Sequence, residues 1–322
     1  MSDTLNLIMK KITEGKSMNE MCAELNLSRN RLHYYIGLIR NNGYQFSTLY
    51  DINGEIRYGF DSYKALCASN GLPFLNVRVP AHDSVVKALA ISDLHFGNEL
   101  ERRDAVDAVF NYCIKNNIHL ILCCGDLLDG TFSRGKKTIP DGMKQIEYFI
   151  ENYPYDKNIV TLAVLGDHDF SILEKYNYDP AQIITKKRTD VAIGGYNFSY
   201  ARMRNEKILL HHLIGSHIPV SNISSNLILR GHSHEYTAHM ENGTLHINVP
   251  SLSAILTNVP SALELRLTLK NNLFNEISTD QLVVVNGNVE KVSSVQFYIG
   301  AGDAQDKKTN NNAGKQKTLK NN

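Results

Sequence analysis

The chain has 322 residues, long enough for one large domain plus a small one. Its formal net charge of +1 excludes a global field that would draw it to nucleic acid or to a membrane surface, and no apolar run approaches the length that a spanning helix needs. Five scattered cysteines form no C-x-x-C pair, which excludes a disulfide framework and reads as reduced thiols in a cytoplasmic protein.

Residues 1–60 read as a separate module. Leu5, Ile8, Met9 and Ile12 recur at helical spacing. Ser17-Met18-Asn19-Glu20 is a capping-box pattern, and Met18, Met21, Cys22 and Leu25 follow on one face. Ser28 can cap a third helix whose buried stripe is Leu32, Tyr35, Ile36 and Ile39 and which ends near Asn42-Gly43. Asn53-Gly54, between Leu49-Tyr50 and Ile56-Arg57-Tyr58, predicts a hairpin. Three helices and a hairpin in this order resemble the winged helix-turn-helix fold, by pattern more than by diagnostic residues. The resemblance implies that the last helix enters a DNA groove with its N-terminal residues at the base edges. Those positions carry Arg29, Asn30, Arg31, His33 and Tyr34, and Arg and Asn suit guanine and adenine edges. Lys16 and Arg57 are candidates for phosphate contact. The competing reading is a protein-binding module or a solvated basic face, since Glu14, Glu20 and Glu24 leave the module nearly charge-balanced.

Residues 61–86 are turn-rich and read as a linker, with a short helix over Asp61 to Ser69. The texture then changes. Ala88 to Ile91 predicts a strand, Glu99 to Lys115 a helix, Ile118 to Cys124 a strand, Asp141 to Glu151 a helix, and Ile159 to Leu165 a strand. Cys123 and Cys124 read as small apolar residues of a central strand. Asp179 to Lys187 predicts a last short helix, after which strand-like segments dominate, with Gly194-Gly195 and Asn242-Gly243 as hairpin turns. Strands alternating with helices and then strands alone define an α/β (α+β) class. Residues 87–300 form the expected main domain, and 301–322 have almost nothing to bury and read as a disordered tail.

Five of the predicted strands end in Asp, His or both: Asp93-Leu94-His95, Gly125-Asp126, Gly166-Asp167-His168-Asp169, His211-His212 and Gly231-His232-Ser233-His234. A carboxylate after an apolar strand is costly to bury unpaired, and carboxylate with imidazole suits Mn²⁺, Fe and Zn²⁺. In this order the segments resemble the calcineurin-like metallophosphoesterase superfamily over roughly residues 87–255. The resemblance implies a two-sheet β-sandwich flanked by helices and two divalent metal ions, Mn²⁺ first, with Fe or Zn²⁺ as alternatives. Carried over residue by residue, it implies one metal on Asp93, His95 and His234, a second on Asp167, His211 and His232, and Asp126 bridging both. His211 is preferred because it directly follows Ile208-Leu209-Leu210; His212 is the alternative. Asp129 matches an acid that orients the loop. His168 matches the histidine that stabilises or protonates the leaving oxygen, with Asp169 setting its tautomer.

The implied reaction is attack of a metal-bridging hydroxide on phosphorus. One residue departs from the pattern: the family usually has Asn where this chain has Asp167. The added charge predicts tighter binding of the second metal and a less electrophilic pair. The motif segments resemble both nuclease and lipid-sugar hydrolase members, so the tilt towards a nucleic-acid phosphodiesterase comes from the front module. The alternatives are a phosphatase or phosphodiesterase of small or protein substrates, and a DNA-binding regulator with a weakly active domain.

Overall fold

The computed structural model describes residues 3–41, 46–50, 56–60, 75–77, 85–132, 138–212, 225–256 and 259–299. The Asn53-Gly54 turn, the short helix expected over Asp61 to Ser69 and the tail from 301 lie outside the described residues. The described residues divide into two compact units, residues 3–60 and residues 75–299.

In the first unit α1 (Asp3–Thr13), α2 (Met18–Leu25) and α3 (Arg29–Asn41) precede an antiparallel pair, β1 (Phe46–Tyr50) and β2 (Ile56–Phe60), with Tyr50 opposite Ile56. Apolar residues three and four apart put Leu5, Ile8 and Ile12 of α1, Met18 and Met21 of α2, and Leu32, Ile36 and Ile39 of α3 into one buried core, which Tyr58 of β2 joins. The capping box closes α2: the Ser17 amide donates to Glu20 Oε2 (2.7 Å) and the Glu20 amide donates to Ser17 Oγ (3.2 Å).

The second unit is built on two sheets. The larger has seven strands in the order β15-β14-β13-β4-β5-β6-β7, and the smaller six in the order β11-β12-β10-β9-β8-β3. The strands of the larger are β4 (Val85–Ile91), β5 (Leu120–Cys123), β6 (Val160–Leu165), β7 (Val191–Tyr196), β13 (Ser261–Lys270), β14 (Leu273–Val285) and β15 (Asn288–Tyr298). Those of the smaller are β3 (Leu75–Val77), β8 (Phe198–Met203), β9 (Glu206–His211), β10 (Leu227–Arg230), β11 (Thr237–Glu241) and β12 (Thr244–Asn248). Strands β4 to β7 run parallel, as do β9, β10 and β12, while β13 to β15 form an antiparallel meander.

Side-chain alternation divides the core in two. Ala88, Ala90, Leu120, Leu122, Leu162 and Val164 of the larger sheet pack with Ile208, Leu210, Leu227, Leu229, Leu245 and Ile247 of the smaller. Their neighbours in sequence, Leu89, Ile91, Ile121, Cys123, Ala163 and Leu165, point the other way, towards α4 (Arg103–Asn116), α5 (Gly142–Asn152), α6 (Asp167–Tyr176) and α7 (Pro180–Lys187). This is a mixed α/β fold with two β-sheets flanked by helices.

Four expectations change. The helix expected from Glu99 begins at Arg103, because the Glu101 carboxylate accepts from the Gly97 amide (2.6 Å) and the Tyr148 hydroxyl (2.5 Å) and keeps the approach a loop. Gly194-Gly195 lies inside β7 instead of forming a hairpin turn. The chain turns at Asn197, with φ of 72°, and crosses from the larger sheet to the smaller. β3 falls within the expected linker yet pairs in parallel with Ala201–Met203 of β8. Finally, residues 167–176 form α6, whose N-terminal amides face the candidate site.

Candidate metal centre

Strands β4, β5 and β6 of one sheet and β9 and β10 of the other end at the same place, and each is followed by acidic or histidine residues. A strand end is where the backbone leaves the ladder, so residues there can take conformations that aim side chains back across the sheet edge. Apart from asparagines, seven non-glycine residues among those described hold a positive φ. Five of them are Asp93 (55°), His95 (50°), Asp126 (53°), His232 (70°) and His234 (60°). A left-handed Asp or His costs about 1–3 kcal/mol unless its surroundings enforce it, and such strain collects at functional sites.

These residues meet in two groups. In the first, one ligand atom each from Asp93, His95 and His234 lie within 4.8 Å of one another. In the second, so do atoms of Asp126, Asp167, His212 and His232. Asp126 stands between the groups, its Oδ2 3.8 Å from His95 Nε2 and 3.2 Å from His212 Nε2.

The second group contains His212 in place of the preferred His211. Inward-facing residues of β9 are Ile208 and Leu210, so the next inward position is His212, while His211 shares the parity of Leu209. The three apolar residues before it are buried on both faces, which is why the pattern alone leaves the parity open. His212 is held tightly. Its Nδ1 is 2.6 Å from the Cys124 carbonyl; a carbonyl only accepts, so Nδ1 donates there, and Nε2 is held 3.2 Å from both Asp126 Oδ2 and Asp167 Oδ1. Glycine is required around it. A Cβ on Gly125, whose φ is 103°, would stand 2.4 Å from His212 Nδ1, and one on Gly166 would stand 2.1 Å from Asp126 Oδ1. We expect Gly166→Ala to lower phosphoester turnover at least about 100-fold, since displacing a reacting group by about 1 Å has that effect. Bound metal should fall with it by elemental analysis, and wild-type metal content in that variant would count against the close approach.

His234 and His168 are likewise oriented by backbone carbonyls. His234 Nδ1 is 2.8 Å from the Ile255 carbonyl, which leaves Nε2 beside Asp93 Oδ1 at 3.3 Å. His232 Nδ1 is 3.4 Å from Asp167 Oδ1. His168 Nδ1 is 2.6 Å from the Asp129 backbone carbonyl. Asp169 therefore does not set the His168 tautomer, contrary to the sequence expectation. Its carboxylate instead accepts from the amides of Leu127 (3.2 Å), Leu128 (2.8 Å) and Gly166 (2.9 Å), tying the β5 loop to the start of α6. Only a fully buried position with three convergent amides explains that use, and no local sequence signal shows it. Burial and the nearby Asp126 charge push the Asp169 carboxyl up to about 7. Asn98 and Gln145 also escaped the sequence reading: Asn98 Nδ2 donates to Asp129 Oδ1 (2.7 Å), and Gln145 Oε1 accepts from the Gly130 amide (2.8 Å).

The donor set fits divalent cations. Asp93 Oδ1 and both ring nitrogens of His95 are buried with no hydrogen-bond partner, an arrangement that is costly without a ligand. Burial holds His95 down to about 3, hence neutral, as a metal ligand must be. Burial opposes charge on Asp126, but the adjacent His212 and His95 bring its carboxyl below the usual range. Burial also opposes charge on His212, yet Asp126 and Asp167 pull it well above an ordinary imidazole. A ring drawn positive between two carboxylates marks a position suited to a cation.

Of the front-module residues, Asn30, Arg31 and Tyr34 are exposed on α3. Arg29 is half-buried and donates to Asn19 Oδ1 (2.6 Å), and His33 Nδ1 is 3.4 Å from the Tyr58 hydroxyl. Lys16 is paired with Glu24 (2.8 Å) and Glu20 (3.5 Å), and the Arg57 side chain lies outside the described residues.

Residues 86–236 match the calcineurin-like phosphoesterase family. No curated protein matches the chain. Among solved structures the chain is similar to an archaeal phosphodiesterase, at 16% identity and a TM-score of 0.41, over 62% of this chain and 100% of that one. It is similar to vacuolar protein sorting 29 from Cryptosporidium parvum, at 18% identity and a TM-score of 0.40, over 67% and 100%. It is also similar to Yfce, a phosphoesterase from E. coli, at 16% identity and a TM-score of 0.40, over 67% and 100%. No helix among the described residues is long and apolar enough to cross a membrane.

Proposed function

We propose that the chain is a dinuclear, divalent-metal-dependent phosphodiesterase acting on nucleic acid. The observation that carries this reading is the pair of donor groups sharing one edge, with Asp126 within reach of both. Asp93, His95 and His234 would hold one ion, Asp167, His212 and His232 the other, and Asp126 both. Mn²⁺, or alternatively Fe or Zn²⁺, supplies Lewis acidity and lowers the pKa of water when bound. The chain's own residues position and move the proton. His168 keeps its Nδ1 proton on the Asp129 carbonyl, so Nε2 is the atom that would pass a proton from the imidazolium form to the leaving oxygen, which departs with it as a hydroxyl. Its ring stands edge-on to His95, with centroids 4.5 Å apart, beside the Asp126 group. The His168 amide donates to Asp126 Oδ1 (3.1 Å), so the helix start also steadies the shared carboxylate.

The nucleic-acid substrate rests on the front unit, whose α3 exposes Asn30, Arg31 and Tyr34. A panel of oligonucleotides, nucleotides and phosphopeptides with Mn²⁺ tests the whole reading, with bis-p-nitrophenyl phosphate as the reference diester. Oligonucleotide hydrolysis that falls about 10²- to 10³-fold in His168→Ala is expected. Failure of the metal-loaded protein to hydrolyse any ester would sink the enzymatic reading. Duplex binding should weaken with salt and in Arg31→Ala, and binding unchanged by deleting residues 1–60 would refute the role of the front unit.

Asp167 favours a second reading, a DNA-binding regulator with a weakly active domain, because it adds negative charge beside an anionic substrate. Asp167→Asn separates the two. We expect metal affinity lower by about tenfold, equivalent to about 1.4 kcal/mol, and turnover raised a few-fold. Unchanged metal content and turnover would show that this carboxylate has no such effect.

A further inference from the structure

A second cluster of potential ligands lies away from the strand ends, on the hairpin β11–β12. The two strands pair antiparallel with His239 directly opposite His246, and Glu241 is two residues along from His239 on the same face. The neighbours of His246 on β12, Leu245 and Ile247, point into the sandwich core, so His246 stands on the opposite face of the smaller sheet. One ligand atom each from His239, Glu241 and His246 lie within 4.8 Å of one another. The imidazoles are stacked, with centroids 5.2 Å apart and planes at 19°, and Glu241 Oε2 is 3.8 Å from His246 Nε2.

His246 is the buried member of the cluster. It is only 1% exposed, and neither ring nitrogen has a hydrogen-bond partner. Two buried nitrogens without partners are costly, and a histidine that serves only as packing normally satisfies at least one. His239 and Glu241 are exposed, so an ion can approach from solvent while His246 forms the floor of the site. Burial, with the positive charge of Arg230 nearby, lowers the pKa of His246 and keeps it neutral, the form that can donate to a metal. Arg230 opposes a cation, and Glu241 supplies the compensating charge for it.

We propose that His239, Glu241 and His246 form a binding site for a borderline divalent cation of the Zn²⁺ type, separate from the centre built on Asp126. Two imidazoles and one carboxylate make a three-ligand set that leaves one position for water, and nitrogen donors select Zn²⁺ over Mg²⁺ or Mn²⁺. Zn–N bonds of about 2.0–2.1 Å set ligand atoms about 3.4 Å apart in a tetrahedral site. The rings therefore tilt and close on the ion from their present separation. A bound ion ties edge strand β11 to β12, immediately after the segment that carries His232 and His234.

The test is zinc stoichiometry on the full-length protein. Wild type and His239→Ala, a change at an exposed position, are equilibrated with Zn²⁺, passed through a desalting column and measured by elemental analysis. Wild type should retain one more equivalent of Zn²⁺ per chain, and zinc should raise its Tm by more than that of the variant. Glu241→Gln should retain an intermediate amount at limiting Zn²⁺, and Mn²⁺-dependent diester hydrolysis should be unchanged in both variants. Equal zinc content in wild type and His239→Ala would overturn the site, whatever the activity of either. A Zn²⁺ loss in His239→Ala accompanied by an equal loss of diester hydrolysis would overturn its separateness from the Asp126 centre.

Discussion

Asp126→Ala should strip more metal from the protein than any other single ligand change. It should reduce Mn²⁺-dependent diester hydrolysis at least about 10³-fold, consistent with the loss of several kcal/mol of charge stabilisation. The reason is position. Among the described residues Asp126 is the one carboxylate within reach of histidine nitrogens in both groups, whereas Asp93 faces His234 in one and Asp167 faces His212 and His232 in the other. Asp93→Asn should lose metal chiefly from one group. Asp126→Asn is the better-matched variant for stability, because it keeps the side-chain volume beside Gly166, where no extra atom fits. Elemental analysis after Mn²⁺ loading, with circular dichroism to confirm the fold, measures the difference. Equal metal loss in Asp126→Asn and Asp93→Asn would show that the carboxylate serves one group only.

His212→Ala and His211→Ala should differ sharply although the residues are adjacent. Loss of His212 removes a ring that bridges the Cys124 carbonyl and the carboxylates of Asp126 and Asp167, and turnover should drop at least about 10²-fold, with bound metal reduced. His211 lies at the end of β9 with its register partners Phe198 and Arg230, on the face away from that group. Its removal should leave metal content at the wild-type level and change only stability, by about 1–3 kcal/mol for a buried polar residue. Measuring metal content and Tm in both variants decides the matter. A His211→Ala protein that loses metal while His212→Ala keeps it would reverse the assignment.

The parts of the site that were legible in sequence are those whose signal is local. An apolar strand, then glycine or serine, then Asp or His is a contiguous pattern, and four such patterns placed Asp93, His95, Asp126, Asp167, His232 and His234 at strand ends before any contact was known. The helix pattern of the front unit was equally readable, because its core positions recur at three and four residues. What was not legible depended on partners far away in sequence. Asp169 sits beside His168, and proximity in sequence suggested that the two interact. The start of α6 instead turns its carboxylate to the amides of Leu127 and Leu128, about forty residues earlier in the chain. Gly194-Gly195 has hairpin composition, but the turn falls at Asn197 because β7 and β8 belong to different sheets.

By itself the sequence determined the candidate ligand types, their order and the strand ends that carry them, since these follow from residue identity and short-range patterning. Only the tertiary structure decided which of His211 and His212 faces the shared carboxylate. A strand buried on both faces carries no polar alternation to fix its parity, so the choice waits for the second sheet to pack against Ile208 and Leu210. The same packing brought His239, Glu241 and His246 together: strand pairing creates that proximity, and nothing in the linear spacing of the three residues announces it.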